Sequence, residues 1–256
     1  MKINHMILAA VLFTAASNAQ LRTVPYSDGP QKLNGMFIAA AKSSAGKPGI
    51  LILPAWMGIQ DHEKEVAAQL SKMGYNAFIA DIFGEGNYPK NAQEAGKQAG
   101  HYKNNIADYH RRIQLALDQL IKAGANPDNI VAIGYCFGGT GVIEIARMNM
   151  KVQGVVSFHG GLGKDKSRAN GPVAAKVLVL HGADDKFVPE AEISAFQQEM
   201  RDANADWQMN YYADAVHAFT EKSAGSDKTK GVAYNEKADR RSWEALKIFL
   251  AETLKK

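Results

Sequence analysis

The chain has 256 residues, of which 46% are hydrophobic and 22% are charged, a composition that supports a packed core and excludes a long disordered segment. Its 30 basic and 26 acidic residues give a formal net charge of +4. This small excess is scattered, without a basic stripe interleaved with aromatic residues, and therefore argues against nucleic-acid binding. A single α/β domain of this length is common.

The first 19 residues have the pattern of a secretory signal peptide. Lys2 supplies a short positive region, residues 6–16 form an apolar run, and residues 17–19 are small residues suited to a cleavage site. The apolar run is shorter than the roughly 20 residues that span a bilayer. We therefore expect cleavage after Ala19 and a soluble protein that is secreted or periplasmic, with no membrane contact after cleavage.

Strand-like and helix-like segments alternate along the rest of the chain. Short alternating stretches between residues 20 and 47 predict antiparallel strands joined by turns. Further on, apolar runs predict buried parallel strands, and helical periodicity marks the segments between most of them. The predicted strands are residues 50–53, 76–82, 129–134, 152–158, 176–181 and 207–212, and the predicted helices are residues 61–72, 91–104, 108–123, 137–148, 189–203 and 238–254. This order predicts one α/β domain over residues 20–256, with a mostly parallel sheet covered by helices on both faces.

The only cysteine, Cys136, lies in the segment Gly-Tyr-Cys-Phe-Gly-Gly between a predicted strand and a predicted helix. This is the nucleophile-elbow pattern Gly-x-Ser-x-Gly with cysteine in place of serine. The positive end of the following helix favours a thiolate, and the amide of Phe137 is placed to stabilise an oxyanion. The alternative is an inert cysteine buried in the core. A lone cysteine cannot form a disulfide within the chain, and its local sequence favours a nucleophile.

The predicted triad follows the chain order nucleophile, acid, histidine. Asp184 and Asp185 both lie in the loop after the strand at residues 176–181, and the spacing within that loop favours Asp185 as the acid. His217 follows the last predicted strand and is the candidate base. In this arrangement His217 takes the thiol proton, Asp185 orients the imidazole ring, and water resolves a thioester formed on Cys136.

Two further histidines, His159 and His181, end strands near the predicted active-site edge. They could line a pocket, but a structural role is the more ordinary interpretation. Together with Asp185 they could suggest a metal site, yet no pair of these residues has i, i+4 spacing on a predicted helix and no His-Glu-x-x-His motif occurs. We therefore expect no metal and no other cofactor.

These residues resemble the dienelactone hydrolase family. Besides the elbow, the matching segments are residues 56–58, 74–75, 80–83, 158–161, 181–189, 217–219 and 234–243. The resemblance runs from about residue 22 to residue 253. It implies an α/β-hydrolase fold, Cys136, Asp185 and His217 as the triad, and an oxyanion hole formed by the amides of Trp56 and Phe137.

Two positions depart from the family members that act on dienelactones. Those members carry a glutamate just before the oxyanion-hole residue, where this chain has Ala55, and an arginine that grips the substrate carboxylate, where this chain has Glu221. Because Glu221 should repel a carboxylate, we expect a neutral or cationic ester, lactone or other acyl substrate. Trp56, Phe83 and Tyr102 are expected to line the pocket, with plain core packing as the alternative.

The leading hypothesis is therefore an exported hydrolase that cleaves a small-molecule carboxylic ester or lactone. A non-catalytic small-molecule binding protein on the same scaffold is favoured by the two departures and opposed by the complete triad. A redox-responsive thiol protein is opposed by the absence of a second, resolving cysteine.

Overall fold

A computed structural model describes residues 20–165 and 167–256 of the chain. The predicted signal peptide, residues 1–19, lies outside the described residues. Within the described part of the chain, no helix is both long and apolar enough to cross a membrane.

In these two ranges, eight strands form one sheet in the order β1-β2-β4-β3-β5-β6-β7-β8. The strands are β1 (Arg22–Asp28), β2 (Gln31–Ile38), β3 (Gly49–Leu53), β4 (Asn76–Ile79), β5 (Ile130–Tyr135), β6 (Gly154–Phe158), β7 (Lys176–Gly182) and β8 (Trp207–Tyr212). Strand β2 pairs antiparallel with β1 and β4, and all pairs from β4 to β8 are parallel. This confirms the predicted α/β class with short antiparallel strands at the N-terminal side.

Helices cover both faces of the sheet. They are α1 (Asp61–Lys72), α2 (Ala92–Asn104), α3 (Ile106–Lys122), α4 (Phe137–Arg147), α5 (Glu190–Asp202) and α6 (Glu236–Thr253). Helices α1 and α6 pack into the core on one face, and α2 to α5 pack into the core on the other. The buried positions of α3, such as Tyr109, Ile113 and Leu117, recur every three to four residues, which is the spacing of an apolar helical stripe.

The end of β4 is the largest difference from the predicted elements, because the strand stops at Ile79 rather than at residue 82. The carboxylate of Asp81 accepts hydrogen bonds from the amides of Asn34 and Gly84 and from the hydroxyl of Tyr88. The backbone N–H and C=O of Asp81 both bond to the Tyr26 hydroxyl and not to a neighbouring strand, so the strand ends before this residue. The other predicted helices and parallel strands differ from the structure by at most two residues at either end.

The parallel strands bring the predicted site together at one edge of the sheet. Pro54 follows β3, Cys136 follows β5, Asp185 lies in the loop after β7, and His217 lies beyond β8. Because the carboxyl ends of parallel strands meet at the same edge, residues far apart in sequence become neighbours there.

Candidate active site

Cys136 occupies a strained turn between β5 and α4. Its backbone has φ +51° and ψ −111°, a conformation that non-glycine residues rarely adopt. The amide of Cys136 donates a 3.0 Å hydrogen bond to the carbonyl oxygen of Phe158, which fixes the turn against β6. Such strain at a strand-to-helix turn is the feature that exposes the nucleophile in α/β-hydrolases.

The glycines of this turn allow the backbone to pack closely. A Cβ atom on Gly138 would overlap the backbone carbonyl of Leu53, and a Cβ atom on Gly134 would overlap the carbonyl of Gly138. The elbow therefore lies directly against the end of β3 and the loop that follows it.

Gly138→Ala is expected to lower the free energy of unfolding by about 3 kcal/mol, because the new methyl group must displace backbone rather than a flexible side chain. Urea unfolding measures the change. Gly100→Ala in α2 is the matched control, since a Cβ there has no neighbour within 4 Å. That variant should gain about 0.5–1 kcal/mol from helix propensity. Equal stability of Gly138→Ala and the native chain would contradict the close packing.

The three predicted triad side chains are in hydrogen-bond contact. His217 Nε2 lies 3.0 Å from Cys136 Sγ, and His217 Nδ1 lies 2.8 Å from Asp185 Oδ2. The other carboxylate oxygen of Asp185 accepts a 2.9 Å hydrogen bond from the amide of Phe187. Asp185 is buried, whereas Asp184 is exposed. The geometry thus places Asp185, the favoured aspartate, beside the histidine.

The imidazole of His217 is held between two acceptors. Burial alone would lower its pKa, but the hydrogen bonds to Asp185 and Cys136 outweigh burial and raise the pKa to about 10. The ring is therefore cationic in neutral water. The proton on this ring lies within hydrogen-bond distance of the Cys136 sulfur.

Trp56 and Phe137, whose amides are the predicted oxyanion hole, line the same cavity as Cys136. Phe137 opens α4, and the N–H groups of a first helical turn have no acceptor within the helix. Trp56 lies in the loop after β3, whose Pro54 carbonyl closely approaches Gly138. Across residues 20–165 and 167–256, neither the Trp56 nor the Phe137 amide donates a hydrogen bond to a protein acceptor.

A cavity of about 900 Å³ contains Cys136 and His217 in its wall. This volume is in the range of small-molecule sites. Trp56 and Phe187 line the cavity and remain 39% and 61% exposed, so aromatic rings are available to a ligand. Phe187 also packs edge-to-face on the His217 ring, with 5.3 Å between the centroids.

Phe83 and Tyr102, which were expected to contact substrate, do not line this cavity. Both are buried, at 2% and 5% exposure. Their rings pack against Phe137, with centroids 5.8 Å and 6.4 Å away, and Tyr109 stacks on Phe137 as well. The structure therefore assigns Phe83 and Tyr102 to core packing that supports Phe137, because helices α2 and α3 close over this side of the sheet.

His159 and His181 lie behind the site rather than in the cavity wall. His159 is fully buried, its Nε2 lies 2.8 Å from Thr220 Oγ1, and its ring packs edge-to-face on His217. Burial, reinforced by the charge on His217, holds the pKa of His159 well below its usual value. Burial also lowers the pKa of His181, whose ring packs edge-to-face on Tyr211. Both histidines are neutral structural groups in neutral water.

One wall of the cavity carries three carboxyl groups, of which the sequence indicated only Glu221. Glu63 projects from α1, Asp239 from α6, and Glu221 from the segment after His217. Burial, followed by repulsion from Glu63 and Asp239, raises the pKa of Glu221 to about 8. The expectation that Glu221 repels a carboxylate therefore applies above about pH 8, because the buried carboxyl group holds its proton below that pH.

His62 faces the Glu221 carboxyl, with 3.5 Å between His62 Nε2 and Glu221 Oε1. Burial, followed by repulsion from Lys222, lowers the pKa of His62 to about 4. In neutral water this contact therefore joins a neutral imidazole and a neutral carboxyl group. Within the described ranges, no group of three or more His, Cys, Asp or Glu side chains is arranged to hold a metal ion.

A strained turn after a central parallel strand, with an acid and a histidine after later strands, defines the α/β-hydrolase class. The sequence model of the dienelactone hydrolase family matches residues 35–254. The chain therefore belongs to the dienelactone hydrolase family, and it is a hydrolase of the ester and lactone class.

Individual relatives agree with this family. The dienelactone hydrolase-like promiscuous phosphotriesterase P91 from metagenomic libraries is 35% identical, with a TM-score of 0.86 over 93% of this chain and 100% of that chain. Dienelactone hydrolase from Anabaena variabilis is 19% identical and shares the fold, with a TM-score of 0.65 over 93% of this chain and 99% of that chain. An Escherichia coli (strain K12) protein named "Putative carboxymethylenebutenolidase" is 24% identical over 195 residues, 71% of each chain.

Proposed function

We propose that this hydrolase cleaves carboxylic esters or lactones through Cys136, His217 and Asp185, and that it prefers uncharged or cationic substrates above the Glu221 pKa of about 8. The observation that carries the proposal is the position of the His217 ring, whose two nitrogens lie 3.0 Å from Cys136 Sγ and 2.8 Å from Asp185 Oδ2. The proposed nucleophile, the base and the group that orients the base are thereby connected by two hydrogen bonds.

In the acylation step, the Cys136 sulfur attacks the acyl carbon and a C–S bond forms. The carbonyl electron pair moves onto oxygen, where the amides of Trp56 and Phe137 stabilise the negative charge. The tetrahedral intermediate then collapses and the bond to the leaving alcohol oxygen breaks. His217 gives its proton to that oxygen, and Asp185 stabilises the imidazolium until the transfer.

In the deacylation step, water attacks the thioester. His217 accepts a proton from the water as the new C–O bond forms, and the same two amides hold the second oxyanion. Collapse breaks the C–S bond, releases the carboxylic acid and returns the proton to the Cys136–His217 pair.

Release of p-nitrophenolate from p-nitrophenyl acetate tests the proposal. The native chain should give a burst of about one equivalent per active site followed by steady turnover, because p-nitrophenolate is a good leaving group and acylation is faster than hydrolysis of the thioester. Release no faster than in buffer, across a panel of neutral esters and lactones, would contradict hydrolysis by this site.

Substrate charge should change selectivity with pH. The ratio of kcat/KM for a neutral p-nitrophenyl ester to that for a matched carboxylate-bearing ester should rise about tenfold between pH 6 and pH 9. The reason is that Glu221 is uncharged below its pKa of about 8 and negative above it. The ratio cancels pH effects on the Cys136–His217 pair, which both esters share.

Glu221→Gln should hold this ratio constant across the same pH range. Glu252→Gln, at an exposed position on α6, is the control and should keep the native pH dependence. A native ratio that does not change with pH would contradict charge selection by Glu221.

An uncharged phosphotriester is a second candidate substrate. The 35% identity to the promiscuous phosphotriesterase P91 over nearly the whole chain favours it, and the proposed preference for substrates without a negative charge is compatible with it. Assay of a p-nitrophenyl dialkyl phosphotriester beside p-nitrophenyl acetate decides between the two. Turnover of the phosphotriester alone would favour this second candidate over the ester.

Export of the chain is also a proposal, supported by the charged, apolar and small-residue regions of residues 1–19. The mature protein should then begin at Gln20, which N-terminal sequencing of protein from the host's extracytoplasmic fraction measures. A chain that is found only in the cytoplasm and still begins at Met1 would contradict export.

A further inference from the structure

A buried carboxylate holds the loop that contains Trp56. Glu63 lies in the first turn of α1 and is only 1% exposed. One carboxylate oxygen accepts a 3.2 Å hydrogen bond from the amide of Ala55, and the other accepts a 2.9 Å bond from the amide of Gln60. The bond to Gln60 is an ordinary cap of the helix. The bond to Ala55 reaches eight residues back, to the loop after β3.

The amide of Ala55 is covalently adjacent to the peptide group that contains the Trp56 N–H. The same loop turns through Gly58, whose φ is +79° and whose amide donates a 2.9 Å hydrogen bond to the Ala55 carbonyl. Ala55 is therefore held through both its N–H and its C=O. Since the Trp56 N–H belongs to the peptide plane that contains this C=O, the two contacts fix the direction of that N–H.

We propose that Glu63 is a positioning residue that aims the Trp56 amide into the oxyanion hole. The inference rests on the proposed function, in which the Trp56 N–H stabilises the oxyanion. It differs from the role of the family glutamate that Ala55 replaces, because the Glu63 carboxylate binds the loop backbone and not the thiol.

The chemistry of the carboxylate suits this task. A carboxylate can accept at both oxygens, so it satisfies two N–H groups at once, whereas a glutamine amide offers only one oxygen. Burial raises the pKa of Glu63, and the hydrogen bonds from Gln60 and Ala55 oppose that rise by favouring the charged form. A misplacement of about 1 Å in a catalytic group is enough to cost about 100-fold in rate.

Two reactions of the Cys136 sulfur distinguish a residue that orients the oxyanion hole from a residue that activates the thiol. Acylation of Cys136 by p-nitrophenyl acetate passes through an oxyanion, while alkylation by iodoacetamide displaces iodide at a saturated carbon and forms none. A residue that orients the oxyanion hole should affect acylation alone. A residue that activates the thiol should affect both rates.

Glu63→Ala should slow acylation by about 10- to 100-fold and leave the alkylation rate within about twofold of the native value. Glu63→Gln should fall between the native chain and Glu63→Ala, because it keeps one acceptor oxygen. The glutamine variant also keeps the buried volume, so it preserves the test if the alanine variant does not fold. Thermal unfolding of each variant is measured in parallel.

Glu94→Ala is the matched control. Glu94 caps the start of α2 by accepting a 2.9 Å hydrogen bond from the amide of Lys90, and it does not line the cavity. Its removal should lower stability slightly and change neither rate. Acylation and alkylation that fall together in the Glu63 variants, or acylation that stays native in Glu63→Gln, would overturn the positioning role. Failure of the native chain to be acylated would instead overturn the proposed function, and the inference with it.

Discussion

Cys136→Ala is expected to lower kcat/KM for p-nitrophenyl acetate by at least about 10⁴-fold, to near the rate in buffer. Cys136 is the only cysteine in the chain, and its sulfur lies 3.0 Å from His217 Nε2. Without the sulfur no thioester can form, and the two oxyanion-hole amides have no adduct to stabilise. Steady-state release of p-nitrophenolate measures the loss.

The same variant should keep its fold, because alanine retains the Cβ and removes only one half-buried atom. The thermal unfolding midpoint should therefore stay within a few degrees of the native value. A folded Cys136→Ala variant with native turnover would show that hydrolysis occurs elsewhere in the molecule.

His217→Ala is expected to slow ester turnover by about 10³-fold or more and to slow alkylation of Cys136 by iodoacetamide at neutral pH. Both effects have one cause. With its pKa raised to about 10, the His217 ring is a cation 3.0 Å from the Cys136 sulfur, and in the proposed mechanism it also transfers the protons in acylation and deacylation.

The alkylation rate is more informative than the rate of ester turnover. It depends on the reactivity of the Cys136 sulfur and requires no proton transfer to a leaving group. His101→Ala is the control, because His101 lies on α2 with half of its side chain exposed and pairs with Asp108. An alkylation rate in His217→Ala equal to that of the native chain would mean that the N-terminus of α4 activates the thiol alone.

The catalytic candidates were predictable from the sequence because they belong to short segments with fixed order. The glycines around Cys136 specify a turn that only small residues allow, and the closely packed backbone at Gly138 gives the physical reason. The choice of Asp185 over Asp184 followed from loop spacing. The hydrogen bonds of Asp185 to the Phe187 amide and to His217 give that choice a physical basis.

The composition of the cavity wall was not predictable in the same way. Glu221 was indicated by its position after His217. Glu63 and Asp239 come from two other segments, and only the packing of α1 and α6 on the same face of the sheet brings them beside it. Phe83 and Tyr102 show the converse case. Both residues were expected to line the pocket, but their rings pack against Phe137 and lie in the core.

The acyl-enzyme itself gives the most direct test. The native chain is mixed with p-nitrophenyl acetate and quenched with acid during the burst. It is then digested, and the masses of its peptides are measured by mass spectrometry. A single acetyl group is expected on the peptide that contains Cys136, removable by hydroxylamine at neutral pH as a thioester is. Turnover with no acetyl group on Cys136, or with the acetyl group on another residue, would contradict it.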